Sequence, residues 1–110
     1  MIIMPFSFPN LAKLLNMSKI PTIKNLGPVC EELFTLIDIH TAEEVAKLGA
    51  IESYIRLKLK APRRVNLMFL YAIYTGLRGR HFNDLLPEEK EKLKAEANTK
   101  LEAIREESQQ

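Results

Sequence analysis

Seven basic residues and no acidic ones lie between Arg56 and Arg80: Arg56, Lys58, Lys60, Arg63, Arg64, Arg78 and Arg80. A run of this kind can hold phosphate or an acidic protein surface. The bland alternative is a solvated face whose charges pair with the acidic segment that follows, since acids outnumber bases from His81 onward. A second candidate lies upstream at Lys24-Asn25-Leu26-Gly27-Pro28. A glycine-containing turn that opens a helix presents backbone N–H groups to an anion. The candidate DNA- or partner-binding residues are therefore Lys24, Asn25, Gly27, Arg56, Lys60, Arg63, Arg64, Arg78 and Arg80.

Other reactive side chains point to little chemistry. Cys30 is the single cysteine, so no internal disulfide forms. Two acids follow it directly, which opposes a low thiol pKa, and a partly buried inert thiol is expected. His40 and His81 are far apart and lack ligand spacing, so no metal site is expected. Glu43 and Glu44 have no accompanying nucleophile or oxyanion group, and Glu44 is explained by a helix cap. Gly76 and Gly79 do not form a phosphate loop; close helix approach and a helix stop account for them better. Tyr54, Tyr71, Tyr74 and Phe82 sit beside Leu and Ile at helical spacing and read as core rather than as base-stacking platforms. No enzyme and no cofactor is expected.

These residues must be positioned by helices. The 110-residue chain is 46% hydrophobic and 27% charged with net charge +2, the profile of one globular domain without a global bias toward nucleic acid. No strict alternation marks a strand. Asn10 can cap a short helix with Leu11, Leu14 and Leu15, and Pro21 holds Ile20 extended in a connector. Pro28 opens the next helix at the position where a missing N–H costs nothing, with a stripe of Leu33, Leu36 and Ile37. Thr41 and Glu44 form a capping box, and Gly49 closes that helix in a left-handed conformation. A helix over about 50–59 turns Ile51, Tyr54, Ile55 and Leu59 inward. Asn66 caps the most apolar helix, Leu67 to Leu77, expected to be central and buried, with Gly79 as its stop. Pro87-Glu88-Glu89 starts a charged helix to about Arg105 with a thin stripe of Leu93, Ala97, Leu101 and Ile104. The expected core is Leu26, Leu33, Leu36, Ile39, Val45, Leu48, Ile51, Tyr54, Ile55, Leu70, Ile73 and Leu77.

Several runs in order carry a resemblance. They are Asn25-Leu26-Gly27-Pro28, Ile39-His40-Thr41-Ala42-Glu43-Glu44-Val45, Leu48-Gly49-Ala50, Tyr54-Ile55-Arg56-Leu57-Lys58, Leu70-Tyr71-Ala72, and Gly79-Arg80-His81-Phe82-Asn83-Asp84-Leu85. Over about residues 20–94 the chain resembles the C-terminal domain of the TfoX/Sxy competence regulators, with Phe82 where that family often has Trp. The resemblance implies an all-α fold of five to six short helices, a helix-hairpin-helix or SAM-domain-like bundle around a central apolar helix. The chain is read as three parts: residues 1–19 as an arm with a short helix, 20–94 as the domain that carries the resemblance, and 95–110 as a charged helical tail. It also implies transcription regulation of DNA-uptake genes in the bacterial cytoplasm, with a partner similar to the cyclic-AMP receptor protein. Direct DNA binding through the hairpin is the alternative. Against that use, Pro28 removes one N–H, Val29 and Cys30 stand where DNA-binding hairpins commonly carry Lys and Ser, and Asp38 stands where glycine is usual. The apolar Met1 to Phe8 and the stripe of the last helix are candidate homodimer surfaces. No membrane contact is expected, because no apolar run approaches the ~20 residues of a span.

Overall fold

A computed structural model of the chain describes residues 18–109. The helix expected around residues 11–15, the arm at 1–8 and most of the 1–19 segment lie outside the described residues. Five α-helices are present among those described: α1 Pro28–Leu36, α2 Ala42–Leu48, α3 Ala50–Lys60, α4 Leu67–Leu77 and α5 Pro87–Gln109. Two 3-10 turns join them, at Ile20–Thr22 and Phe82–Asp84. The only strand-like pairing described is an isolated antiparallel bridge between Lys19 and Thr41. The all-α expectation holds.

The helix starts follow the sequence closely. Pro28 is the first residue of α1, after Gly27 in an extended conformation. Thr41 caps α2 with a reciprocal box: its hydroxyl accepts from the Glu44 N–H, and Glu44 Oε1 accepts from the Thr41 N–H at 3.1 Å. Asn66 caps α4 by accepting from the Met68 N–H at 2.9 Å. Each cap satisfies donors that the first helical turn leaves unpaired.

The helix stops are equally specific. After α4, the Arg80 N–H donates to Thr75 O at 2.9 Å and the Gly79 N–H to Gly76 O at 3.0 Å. This is the Schellman pattern, and Gly79 supplies its left-handed residue at φ +69°. After α1 the same two bonds recur, from Ile39 to Phe34 and from Asp38 to Thr35. Here a non-glycine residue, Asp38, takes the left-handed position at φ +61°. Gly49 also has positive φ, at +87°, but its ψ of 163° places it outside the left-handed helical well expected for it. It is a sharp corner that joins α2 directly to α3, in a backbone region almost confined to glycine.

α3 touches each of the other four helices, while α4 packs against α3, α5 and the second 3-10 turn. The core gathers Ile20, Leu33, Phe34, Val45, Tyr54, Ile55, Leu57, Val65, Leu70 and Ile73. Leu93, Ala97 and Leu101 of α5 close it from one side. Three expectations fail on helical phase or local backbone. Leu36 is 45% exposed while Phe34 is fully buried, because α1 turns Cys30, Leu33 and Phe34 inward. Leu59 is 48% exposed, and Leu57 holds the buried place instead. Ile20 is not an extended connector residue. It opens a 3-10 turn despite the following Pro21, and its side chain is fully buried. Leu48, Ile39, Ile51 and Leu77 are half-buried rather than fully enclosed.

Gly76 explains how the first hairpin reaches α4. A β-carbon there would overlap the Lys24 carbonyl oxygen and stand 2.9 Å from Ile23 Cγ2. The absent side chain lets the backbone of residues 23–24 lie directly on the helix.

Candidate functional site: the hairpin and the basic stretch

The hairpin at 23–27 is held by Asn25, whose backbone takes φ +72°. This conformation turns the side chain into the domain. Nδ2 donates to Thr75 Oγ1 and to Arg80 O, both at 2.9 Å, and Oδ1 accepts from the Phe82 N–H at 3.3 Å. Asn tolerates the left-handed region better than most residues, and a bonded amide compensates its cost. Asn25 therefore ties three segments together, and its polar atoms face the domain rather than a ligand. Lys24 beside it is exposed and has no side-chain partner among the described residues.

The first turn of α1 keeps the Val29 and Cys30 N–H groups but offers no cationic or hydroxyl side chain. Pro28 has no N–H, and the Glu31 N–H is already bonded to Gly27 O at 3.1 Å. Gly27 makes no side-chain cap. Cys30 is buried, and burial pushes its thiol pKa up against the lowering effect of the Gly27 backbone hydrogen bond, which disfavours the thiolate. In the loop between α1 and α2 the exposed Asp38 carboxylate lies 2.9 Å from His40 Nε2. That pair adds a negative group where a DNA hairpin needs none.

Next to the first hairpin lies an apolar groove of about 200 Å3. Cys30, Met68, Phe69, Ala72 and Phe82 line it, with Asn25 as its polar member. Met68 is 50% exposed, and Val29 beside Cys30 is 56% exposed. Apart from Asn25, none of these residues stands among the binding candidates that charge and turn chemistry select, yet the sequence carries a signal for them. A helix apolar on all faces must expose apolar surface unless it is surrounded, and α4 is not.

The basic stretch is mostly engaged within the domain. Arg56 approaches Glu52 on its own helix at 3.9 Å, and Arg64 approaches Glu32 of α1 at 3.5 Å. Lys58 Nζ donates to Val65 O at 2.7 Å and Pro62 O at 3.0 Å, which closes the loop between α3 and α4. Arg78 lies over the Tyr74 ring, 3.7 Å from its centre. Arg80 makes a two-pronged bond to Glu89, Nη1 to Oε2 and Nη2 to Oε1, both 3.0 Å. Lys60 and Arg63 are exposed and have no side-chain partner among the described residues. Pairing with the acidic last helix is thus seen at Arg80 alone; Glu52 on its own helix answers Arg56, and Glu32 of α1 answers Arg64.

The Arg80–Glu89 pair is the strongest of these. The guanidinium fork holds the Glu89 carboxyl down to about 2, helped by the Leu86 N–H, which donates to Oε1 at 3.0 Å. Arg80 also reaches Asp84 O at 2.8 Å and thereby fixes the second 3-10 turn. His81 caps that turn through Nδ1, which accepts from the Asn83 N–H at 3.1 Å, and its ring stacks on Phe82. No group of three or more potential metal ligands occurs among the described residues.

The architecture defines a class: an all-helical module whose tight hairpin is latched onto a helix end by one asparagine. The chain belongs to the TfoX C-terminal domain family, whose model matches residues 10–97. That match includes every element from α1 through the Arg80–Glu89 pair. Comparison with curated proteins and with solved structures returned no match.

Proposed function

We propose that this chain is a non-enzymatic regulatory module of the bacterial cytoplasm that acts on transcription of DNA-uptake genes through protein–protein contacts. The family supplies the regulatory context. The choice of protein over DNA rests on one observation: the Asn25 side chain of the hairpin is bonded inside the domain, and the surface beside it is apolar. Asn25 is occupied, Pro28 and Cys30 offer no cationic or hydroxyl donor, and Met68 and Val29 are the exposed neighbours. A phosphate clamp needs the reverse arrangement. A protein partner is suited to an apolar groove with a polar rim.

The partner that the family resemblance points to is a regulator similar to the cyclic-AMP receptor protein. Biolayer interferometry between the full chain and that purified regulator, with and without cyclic AMP, tests this. Micromolar or tighter binding that weakens with Met68→Glu is the expected outcome. No binding in either state, with the chain well folded, removes this partner from the reading.

A further inference from the structure

A cleft of about 820 Å3 opens where the corner between α2 and α3 meets the end of α4 and the first half of α5. Small-molecule sites commonly measure about 300–1,000 Å3. The corner wall is low because Ala46, Gly49 and Ala50 form it. A β-carbon on Gly49 would meet no atom within 4 Å, so no described residue fills that side. Ile51, Leu77 and Leu93 supply apolar patches among a remaining lining that is otherwise charged or aromatic.

Two cations and two acids line the cleft, and they differ in how far they are engaged. Arg78 is pre-ordered: its guanidinium rests on Tyr74 at 3.7 Å, and Nη1 donates to Tyr74 O at 3.1 Å. It makes no direct salt bridge among the described residues, although its charge acts on the nearby Glu89 carboxylate. Glu89 also lines the cleft, but both its oxygens are held by Arg80. Lys92 of α5 lines the cleft without an ion-pair partner among the described residues. Glu96 stands one helical turn beyond it, ~6 Å along the axis. Arg78 and Lys92, neither in a direct salt bridge, therefore face two acids: Glu89, already answered by Arg80, and Glu96 a turn further along. A stacked guanidinium with free N–H groups binds an acid group at lower entropic cost than a mobile lysine.

We propose that this cleft binds a small anionic ligand with an apolar body, its acid group on Arg78 and Lys92 and its body against Tyr74, Ile51 and Leu93. The site is separate from the apolar groove beside the hairpin, so it does not depend on the protein-contact reading. The test uses two fluorescent probes on the full chain: anilinonaphthalene sulfonate, an aromatic acid, and the uncharged phenylnaphthylamine. The expected result is saturable binding of one sulfonate per chain, weakened about tenfold or more by Arg78→Met and by Lys92→Met. Ala46→Phe, which fills the cleft from an exposed position, should abolish it. The uncharged probe should bind more weakly and ignore Arg78→Met. Circular dichroism checks that each variant is folded. The proposal is overturned by absence of saturable sulfonate binding to the wild type, by equal affinity for the two probes, or by variants that leave affinity unchanged.

Discussion

The side-chain amide of Asn25 donates to the backbone carbonyl of Arg80 at 2.9 Å, which joins the hairpin before α1 to the chain just after α4. The same side chain accepts from the Phe82 N–H and donates to Thr75. One residue therefore fixes the hairpin, the α4 stop and the second 3-10 turn at once. Asn25→Ala should destabilise the domain by about 2–4 kcal/mol, because it removes three bonds and leaves a non-glycine residue at positive φ. Asn25→Gly should cost about 1 kcal/mol less, since only the backbone penalty is relieved. Urea unfolding of the two variants checks the order. Equal midpoints for wild type and Asn25→Ala would refute the latch.

The glycines separate two physical effects. Gly76→Ala lies in a helix, where alanine is intrinsically favoured by about 1 kcal/mol. The β-carbon nevertheless meets the Lys24 carbonyl and Ile23, so a net loss of about 2 kcal/mol or more is expected. Gly49→Val should lose more than ~1 kcal/mol through backbone strain alone, because its φ is +87° and its surroundings are open. Thermal melts decide both, and a stabilised Gly76→Ala would show that the hairpin does not lie on α4.

Ser53 in α3 is fully buried, and its hydroxyl has no hydrogen-bond partner among the described residues. Burial of an unpaired hydroxyl is unfavourable. Ser53→Ala is predicted to stabilise the domain by about 1 kcal/mol, read as a higher melting temperature. A loss of stability would mean that the hydroxyl is satisfied in solution.

Acid should weaken the fold through Glu89. Its carboxyl titrates at about 2 in the folded chain, below the ordinary carboxylate value it regains on unfolding. Its contribution is therefore fully present above about pH 5 and is lost as pH falls toward 2. Glu89→Gln should reduce stability at neutral pH and flatten the acid limb of the stability profile between those limits. An unchanged slope would show that Arg80 does not hold the carboxylate in solution.

Much of the fold is legible in the sequence because helix ends are written in local chemistry. Pro28, Thr41 with Glu44, Asn66, Gly79 and Pro87 each mark a boundary that the structure keeps. Helical phase is less legible. Leu36 and Leu59 satisfy an apolar stripe as well as Phe34 and Leu57 do, and only tertiary packing chooses between them. The candidate site is legible as charge and illegible as pairing. Arg64 with Glu32, and Arg80 with Glu89, are partners that no spacing rule connects. Asn25 stands out in the sequence as a possible contact to phosphate, but its inward turn follows from a positive φ that the residue type alone does not dictate.

Fluorescence anisotropy of a labelled duplex DNA, over a range of salt concentrations, tests the choice of protein contact over DNA clamp most directly. The wild type is compared with a Lys24→Ala/Lys60→Ala/Arg63→Ala variant, which removes the exposed unpartnered cations of the hairpin and basic stretch. The account predicts at most weak binding at low salt and none near physiological ionic strength, with little difference between the two proteins. Tight binding with a steep salt slope, lost in the variant, would contradict it and place the hairpin face on the phosphate backbone.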